Sequence, residues 1–432
     1  MRDIQPLADA GLLGGIGGTE IRRRLLDGEL TCGDLAEALV VAVGDDPLRA
    51  WAAFDPELVR QRAAALDGLG RAARDALPLF GVPVAIKDIF DTAEEPTAYG
   101  SPIYEDHRPV EDAAAVSRLR AAGALIAGKV TTAEFAVTSP AATLNPLDPT
   151  RTPGGSSSGS AAAVAAGTVP LATGTQTAGS ISRPASYCGV LGYKPSFGLV
   201  DRAGVKECSW TLDTVGLLGR ELDDLRLAAV ALGVDSLVDI AAALEPPRLA
   251  FAQTELWSEV EPDAATTIEK WIEEAHARGV RIDHLELPGY ARLAEAHETI
   301  QLYETARSLS PELRDHEAEL SDTLRHKIER GLDLSEGHYG GARSVGAGLS
   351  RPLVERLAGY DAVLTPSATG VPPVGIESTG DPLFCRVWTL LGTPSLSVPL
   401  VWTAAGLPVG LQLVAPPGQD RALFDAAAWL LG

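Results

Sequence analysis

The sequence predicts a single α/β domain built around a central β-sheet. From residue 79 onward, short apolar runs typical of buried strands alternate with stretches whose apolar residues recur at helical spacing. A dense block of small residues after Pro153 is flanked directly by a helical and a strand-like pattern. No internal repeat, long linker or low-complexity tail divides the 432 residues, so one domain accounts for residues 1–432.

The first 75 residues are expected to form a helical N-terminal part of this domain. Three amphipathic helices are predicted there, over residues 19–28, 33–43 and 56–68. Gly28 is the expected end of the first helix, and Thr31 is the expected N-cap of the second. Amphipathic faces of this kind must pack against a larger core.

The rest of the chain alternates between strand and helix patterns. Residues 221–350 differ, because they are charged, predominantly helical in pattern and contain six of the seven histidines. The elements expected elsewhere are a strand over 80–87, a helix over 112–122, a strand over 124–127, a loop to about 153, an Ala/Val helix to Gly167, a strand-like small-residue segment from Leu171, strands over 360–366, 394–400 and 408–414 (the last two joined by the turn at Ala404-Ala-Gly), and a helix over 420–431.

Composition and charge limit the classes of ligand. Hydrophobic residues make up 46% of the chain and charged residues 22%, as in a folded globular protein. The 36 basic and 58 acidic residues give a net charge of −22, which disfavours nucleic acid and membrane surfaces as partners. Only six of the basic residues are lysine, so arginine serves wherever a plain positive charge suffices.

Neither the cysteines nor the histidines form a metal-binding or disulfide pattern. The four cysteines show no CxxC spacing and the seven histidines show no HExxH pair. We therefore expect no metal, no organic cofactor and a reducing, cytoplasmic compartment. No signal-like segment follows Met1 and no apolar run reaches about eighteen residues, so neither secretion nor a membrane span is predicted.

The small-residue block Pro153-Gly-Gly-Ser-Ser-Ser-Gly-Ser admits three interpretations. A flexible linker is disfavoured by the helix and strand that flank it. A phosphate-binding loop is disfavoured because the block does not match GxxxxGK[ST] and its helix contains no lysine. Nucleophilic catalysis by a serine is the third interpretation, and it requires a neighbouring base.

Lys87 is the candidate base. No histidine lies in the glycine-rich segments, whereas Lys87 ends an apolar strand, where burial would lower its pKa and leave the amine neutral. The alternative role for Lys87 is a structural salt bridge with a carboxylate. The residues alone leave both roles open.

Several motifs resemble, in order and spacing, those of the amidase signature family. The resemblance covers residues 20–220 and 358–432 and does not extend over 240–350. The motifs that carry it are Gly81-Val-Pro-Val-Ala-Ile-Lys87-Asp88, Gly128-Lys-Val-Thr-Thr-Ala-Glu134-Phe, Asn145-Pro, Pro153-Gly-Gly-Ser-Ser-Ser-Gly-Ser-Ala-Ala-Ala, Gly174-Thr-Gln-Thr-Ala-Gly-Ser180, Arg183-Pro-Ala, Cys188-Gly-Val-Leu-Gly-Tyr-Lys-Pro, Leu212-Asp-Thr-Val-Gly, Asp361-Ala-Val-Leu-Thr-Pro, Leu391-Gly-Thr-Pro and Gly406-Leu-Pro-Val-Gly-Leu-Gln-Leu.

The resemblance implies a mixed, twisted sheet covered by helices on both faces. Residues 79–220 and 358–432 would form the signature core, and residues 221–350 a variable helical region. It further implies a Ser–Ser–Lys triad, in which Lys87 is the base, Ser156 a bridging serine held by a cis peptide, and Ser180 the nucleophile.

The neighbours of these residues receive supporting roles. The backbone N–H groups expected to form an oxyanion hole are those of Thr177, Ala178, Gly179 and Ser180. Among the competing serines, Ser157 is expected to hydrogen-bond beside the triad. Ser158 and Ser160 are expected to be polar residues at the start of the helix.

Three positions depart from the family's Thr-Asp-Thr-Gly-Gly-Ser-Ile-Arg pattern. The acid, a glycine and the arginine are replaced by Gln176, Ala178 and Ser182, and Arg183 is displaced by one position. Losing only one of the two charges would strand the other, at a cost of about 3–5 kcal/mol. We therefore predict that Gln176 and Ser182 form a neutral network supporting the oxyanion turn, with Arg183 directed elsewhere.

These features predict hydrolysis of a carboxylic amide through a serine acyl-enzyme, with a small-molecule amide and water as reactants and ammonia or an amine released. A carbamate, ureide or ester hydrolase is the alternative among hydrolases. The glutaminase subunit of a tRNA-dependent amidotransferase is disfavoured by the acidic charge, and a non-catalytic binding protein by the intact triad positions. Substrate selection is expected at residues 135–139, 300–345 and 384–388 and at Trp210. Formation of a homo-oligomer stays open.

Overall fold

The structure, a computed structural model, describes residues 13–238 and 246–432. Within these residues eleven strands form one sheet, in the order β1-β3-β2-β4-β6-β5-β10-β11-β9-β7-β8. The strands are β1 (Trp51–Ala53), β2 (Pro83–Lys87), β3 (Leu125–Val130), β4 (Leu171–Gln176), β5 (Leu191–Lys194), β6 (Thr214–Gly219), β7 (Leu249–Ala252), β8 (Ile282–Leu285), β9 (Ala362–Pro366), β10 (Ser395–Trp402) and β11 (Pro408–Val414).

Fifteen α-helices accompany the sheet in the described part of the chain. They are α1 (Gly18–Asp27), α2 (Cys32–Val43), α3 (Pro56–Asp67), α4 (Arg71–Ala76), α5 (Ala114–Ala121), α6 (Ser158–Ala165), α7 (Ser182–Cys188), α8 (Leu222–Ala231), α9 (Pro262–Ala277), α10 (Tyr290–Ser308), α11 (Ser310–His316), α12 (Asp322–Leu332), α13 (Glu336–Leu357), α14 (Leu383–Leu390) and α15 (Asp420–Leu431).

The sheet is mixed, and both predicted parts of the core contribute to it. Strands β3, β2 and β4 are parallel neighbours, as are β9, β7 and β8, whereas the strands between these groups pair antiparallel. Alternate residues of a strand point to opposite faces, and on β2 Val84 and Ile86 belong to one apolar cluster while Ala85 belongs to another. Helices cover both faces, so the predicted fold class is confirmed.

Three strands lie where the sequence predicts helices. Strand β1 forms an edge of the sheet within the first 75 residues, and β7 and β8 lie within the region predicted to be variable and helical. These strands are only three or four residues long, and β8 exposes part of its polar pair Asp283 and His284 at the other edge. Segments of three or four residues are too short for their pattern to distinguish a strand from part of a helix, so tertiary pairing rather than local pattern determines them.

The predicted helix signals in the N-terminal part occur where expected. Gly28 adopts a left-handed conformation after α1, with φ of 76°. The Thr31 side chain accepts a hydrogen bond from the Asp34 N–H, and Asp34 reciprocates, which forms a capping box at the start of α2. No helix in residues 13–238 or 246–432 combines the length and apolar character that crossing a bilayer requires.

The parallel pairing of β2 and β4 brings their carboxyl ends to the same edge of the sheet. Lys87 ends β2, and Gln176 ends β4. The small residues of α6 allow this helix to lie close against the neighbouring backbone. At Gly159 a Cβ atom would come within 2.4 Å of the Ala50 carbonyl oxygen, so a larger residue does not fit. The edge of the sheet and the small-residue segment therefore meet.

Candidate active site

Lys87 is fully buried at the end of β2, with two hydroxyl groups around its amine. Its Nζ lies 2.8 Å from Ser156 Oγ and 2.8 Å from Thr175 Oγ1. Burial lowers the pKa of Lys87 from 10.5 to about 7, although the charge of Asp213 acts in the opposite direction. A substantial fraction of the amine is therefore neutral near neutral pH.

The structural salt bridge considered for Lys87 is not formed. In residues 13–238 and 246–432 no carboxylate lies within 4.0 Å of its amine. The adjacent Asp88 instead pairs with Lys129, whose Nζ lies 2.9 Å from Asp88 Oδ1. The neighbouring carboxylate is thus already occupied by a different lysine, and Lys87 is left with neutral partners.

The small-residue segment brings Ser156 to Lys87. The Gly155–Ser156 peptide bond is cis, and Gly154 has φ of 79°, a conformation that favours glycine. The Ser156 carbonyl accepts hydrogen bonds from the N–H groups of Ala133 and Ser158, at 3.1 and 2.9 Å. These contacts fix the backbone on which the Ser156 hydroxyl is carried.

The other serines of the segment lie in different environments. Ser157 Oγ donates to the Ser180 carbonyl at 2.5 Å, so it supports the turn that follows β4. Ser160 Oγ donates to the Thr173 carbonyl at 2.8 Å and attaches α6 to β4. Ser158 begins α6, and its buried hydroxyl has no hydrogen-bond partner within the described residues. Of these four serines only Ser156 contacts Lys87.

Ser180 borders a cavity of about 390 Å³. Ser180 is 7% exposed, whereas Ser156 is fully buried. No direct hydrogen bond joins the Ser156 and Ser180 hydroxyls in the described part of the chain, whereas the Ser156–Lys87 contact is direct. Catalytic hydrogen bonds are often long or poorly aligned without substrate and tighten when it binds.

The turn from Thr177 to Ser180 has all of its carbonyl groups hydrogen-bonded. The donors to the first two carbonyls are His297 Nε2 and Thr389 Oγ1, each at 2.8 Å. The Gly179 carbonyl accepts a hydrogen bond from the Arg183 N–H at 2.9 Å, and the Ser180 carbonyl accepts one from Ser157 Oγ at 2.5 Å.

This arrangement also fixes the direction of the N–H groups. In a trans peptide the N–H points opposite to the carbonyl of the preceding residue. The N–H groups of Ala178, Gly179 and Ser180 therefore point away from the donors that hold the carbonyls. None of the three donates to a turn or loop backbone hydrogen bond within the described residues. Preorganised N–H groups of this kind can stabilise a developing oxyanion.

His297 and Thr389 were not predicted from the sequence. His297 lies on α10, 120 residues from Thr177 along the chain, in the stretch without family motifs. A carbonyl only accepts, so Nε2 must carry the proton, and burial lowers the pKa of His297 to about 3, which keeps the ring neutral. No local pattern indicates either contact, because both depend on the packing of distant helices.

Gln176 supports the same turn, but the predicted network is only partly formed. The buried Gln176 Oε1 accepts from the backbone N–H groups of Ile181 and Ser182 at 2.9 and 3.0 Å, and Nε2 donates to Thr389 Oγ1 at 3.1 Å. The Ser182 hydroxyl, predicted to take part, has no hydrogen-bond partner within the described residues. The N–H groups at the start of α7 lack intrahelical acceptors, so they donate to the Gln176 side-chain oxygen instead.

Arg183 is directed away from this network, as predicted. Its Nη2 donates to the Gly155 carbonyl at 2.7 Å and to Thr379 Oγ1 at 3.1 Å, and the residue borders the cavity beside Ser180.

Only some of the segments predicted to select substrate reach this cavity. Residues 136–138 and parts of α10 and α12 line it, together with Arg386. Trp210 lines a separate cavity of about 590 Å³, and Phe384 and Trp388 are buried in the core. Aromatic residues near a site are often core residues, and here the large apolar surfaces of Phe384 and Trp388 are removed from water. Within the described residues no group of three or more His, Cys, Asp or Glu side chains is arranged to hold a metal ion.

Comparison with known sequences identifies relatives over almost the whole chain. The model of the Amidase family matches residues 38–424. A glutamyl-tRNA(Gln) amidotransferase subunit from Symbiobacterium thermophilum is 32% identical, with 94% of each chain covered. Its counterpart from Nitratidesulfovibrio vulgaris is 36% identical over 85% of this chain and 86% of the relative.

Solved structures with the same fold include two amidases. A crystal structure of an amidase has a TM-score of 0.87 and 30% identity, covering 96% of this chain and 99% of the other. Native peptide amidase from Stenotrophomonas maltophilia has a TM-score of 0.80 and 28% identity, covering 96% of both chains.

Proposed function

The chain belongs to the amidase signature family, whose members act on carbon–nitrogen bonds, and from this premise we propose that it hydrolyses carboxylic amides through an acyl-enzyme on Ser180. The observation that carries the proposal is the 2.8 Å contact between the buried Lys87 amine and Ser156 Oγ. A neutral amine in this position can accept a proton, and Ser180 borders the adjoining cavity.

The proposed reaction begins with proton transfer away from Ser180. As Ser180 Oγ forms a bond to the substrate carbonyl carbon, its proton passes to Ser156 Oγ, and the Ser156 proton passes to Lys87 Nζ. Negative charge develops on the substrate oxygen. The N–H groups of Ala178, Gly179 and Ser180, with Thr177 beside them, supply the donors that stabilise it.

The reverse proton path completes the acylation. When the carbon–nitrogen bond breaks, the leaving nitrogen takes a proton from Ser156 Oγ, which is reprotonated by Lys87. Water then attacks the acyl-enzyme and gives its proton to the same pair, which releases the carboxylic acid and restores the Ser180 hydroxyl. Every proton is returned, and the reaction as written draws only on these side chains, backbone groups and water.

A serine-directed fluorophosphonate tests the assignment of the nucleophile. We expect the probe to label Ser180, and Ser180→Ala to abolish both labelling and turnover. Ser186→Ala is the matched control, since Ser186 is buried like Ser180, lies on α7 six residues further along the chain, and has a hydroxyl without a partner within the described residues. Persistent labelling of another serine in Ser180→Ala would contradict the assignment.

Two other functions are considered, one suggested by the relatives and one by the acylation chemistry. The amidotransferase relatives favour a glutaminase subunit, which would form a stable complex with partner chains on purification. The acylation chemistry also suits carbamates, ureides and esters. A panel of amides, carbamates, ureides and esters, assayed with the isolated chain, distinguishes the hydrolases by the substrate with the highest kcat/KM, and co-purification of partner chains would identify a glutaminase subunit.

A further inference from the structure

Asp213 is a buried carboxylate that the proposed reaction does not use. It lies directly before β6 and is 8% exposed. Its Oδ2 accepts hydrogen bonds from the N–H groups of Cys208 and Ser209, at 2.8 and 2.9 Å, and its Oδ1 accepts one from Thr177 Oγ1 at 2.6 Å. No cation lies within 4.0 Å of this carboxylate in the described part of the chain. A buried anion without a cation is costly, so its presence here needs an explanation.

Arg202 lies near Asp213 but does not pair with its carboxylate. Its Nη1 donates to the Asp213 backbone carbonyl and its Nη2 to the Trp210 carbonyl, each at 3.1 Å. Burial raises the pKa of Asp213, and the three hydrogen-bond donors and the weaker effect of Arg202 act in the opposite direction. The two N–H groups on Oδ2 can only donate, which favours the ionised form of the carboxylate.

Three threonines at alternate positions connect Asp213 to Lys87. Alternate residues of a strand point to the same face, and Thr173 and Thr175 both lie on β4. Thr173 Oγ1 accepts from the Lys87 backbone N–H at 2.9 Å, and Thr175 Oγ1 lies 2.8 Å from Lys87 Nζ. Thr177 follows two residues later, at most about 7 Å along the chain, and binds the Asp213 carboxylate. The amine and the carboxylate are therefore held by neighbouring hydroxyls at the same end of β4.

Asp213 is also the charged group that acts on the Lys87 amine. Two titratable side chains in the described part of the molecule act on this amine through their charge, Asp213 and Cys208, and both raise its pKa against the larger effect of burial. Burial raises the pKa of Cys208 to about 12, so its thiol is uncharged at neutral pH. The ammonium that forms when Lys87 accepts a proton is therefore stabilised by Asp213.

We propose that Asp213 is a positioning residue of this active site, which holds the turn of the oxyanion donors through Thr177 and stabilises the ammonium that Lys87 becomes during acylation. This role rests on the proposed acylation of Ser180. When the proton passes from Ser180 through Ser156 to Lys87, a positive charge appears on a fully buried side chain. Asp213 provides the opposite charge and takes up no proton itself, so the two charges balance after the transfer.

A neutral replacement of the carboxylate tests the effect of its charge. Asp213→Asn preserves the shape and the contacts, because the amide oxygen can accept from the two N–H groups and the amide nitrogen can donate to Thr177 Oγ1. Without the negative charge the Lys87 ammonium is less stable, so the rising limb of the pH profile is expected to shift to lower pH by about one unit. The plateau of kcat/KM is expected to fall about tenfold, because Lys87 becomes a weaker base.

The rate of fluorophosphonate labelling of Ser180 measures the same profile without an amide substrate. Asp224→Asn is the matched control, because Asp224 is also buried and accepts from two backbone N–H groups and a threonine hydroxyl, those of Gly18 and Thr19. Asp224 lies on α8 and does not line the cavity beside Ser180, so its variant is expected to keep the original profile. A profile of Asp213→Asn that coincides with that of the unaltered protein, or an equal shift in Asp224→Asn, would overturn the inference.

Substitution of Thr177 tests the support of the turn. Thr177→Val removes the hydroxyl and leaves the Asp213 carboxylate in place, so we expect kcat to fall about fivefold, KM to change little and Thr177→Ser to restore part of the loss. An unchanged kcat in Thr177→Val would overturn the inference, and this variant keeps it testable should Asp213→Asn fail to fold. No labelling of Ser180 in the unaltered protein at any pH would instead overturn the proposed function.

Discussion

The pH dependence of catalysis is determined, in this mechanism, by the buried amine of Lys87. With a pKa of about 7, about half of the amine is neutral at pH 7 and about one tenth at pH 6. A lysine with the ordinary value of 10.5 would be about 0.03% neutral at pH 7, so burial increases the competent fraction about 1,500-fold. We expect kcat/KM to rise about tenfold between about pH 6 and pH 8.5 and then to level off.

The assay is the pH profile of kcat/KM, with the rate of fluorophosphonate labelling of Ser180 as a second readout. A lysine of ordinary pKa would give a further rise of about eightfold between about pH 9 and pH 10, where the shifted lysine gives a plateau. Cys208 and His297 do not titrate in this range, because burial moves their pKa values to about 12 and about 3. Lys194 does, since burial lowers its pKa to about 8. A rise that continues beyond about pH 9, or a limb that survives in Lys87→Met, would refute the reasoning.

The melting temperature of Lys87→Met, followed as a function of pH, tests the shifted pKa independently of activity. The folded pKa lies below the ordinary value of 10.5, so the unfolded state binds the proton more strongly. The resulting destabilisation is absent above about pH 10.5, grows as the pH falls and is complete below about pH 7. Methionine removes it, so the melting temperature of the variant is expected to exceed that of the unaltered protein most at about pH 6, and the difference is expected to decrease as pH rises. A variant that melts earlier at pH 6 would contradict this linkage.

Two further predictions concern the turn from Thr177 to Ser180. Gln176→Glu buries a charge without a cation, so we expect the free energy of unfolding, measured by denaturant titration, to fall by about 3–5 kcal/mol. The control Gln61→Glu lies at an exposed position and is expected to cause only a small change. Equal effects of the two substitutions would contradict the argument. His297→Leu removes the donor to the Thr177 carbonyl, so we expect kcat to fall about tenfold while KM changes little. His297→Gln, which keeps a donor, is expected to restore part of the lost kcat. An effect confined to KM, or no restoration of kcat by glutamine, would count against this role.

The sequence predicts best those features that local pattern determines. The capping residue Thr31, the strand ending at Lys87 and the strands over 394–400 and 408–414 lie close to where the pattern placed them, and the family motifs provided the candidate residues of the site. The structure then excludes a direct carboxylate partner for Lys87 within the described residues, which the sequence alone left open.

Features that depend on distant packing were not predicted. Strands β7 and β8 complete the sheet only because β9 offers them a paired edge. The role of Ser182 was assigned to its hydroxyl, whereas its backbone N–H makes the contact with Gln176. A side chain's identity can be read from a sequence, but the choice between its backbone and side-chain groups follows from the geometry of the helix start.

The hydrogen bond between His297 and Thr177 means that the stretch containing His297 cannot be exchanged without affecting the turn that contains Thr177. His297 belongs to the stretch without family motifs, yet it holds a carbonyl next to the N–H groups proposed to stabilise the oxyanion. The same stretch provides Lys327 to the cavity. A segment transplanted from a relative would therefore replace the walls of the cavity and the support of the turn in a single event. Exchange of residues 240–350 without a compatible donor to Thr177 is therefore expected to leave this carbonyl without its hydrogen bond and to give chimeras with slow turnover.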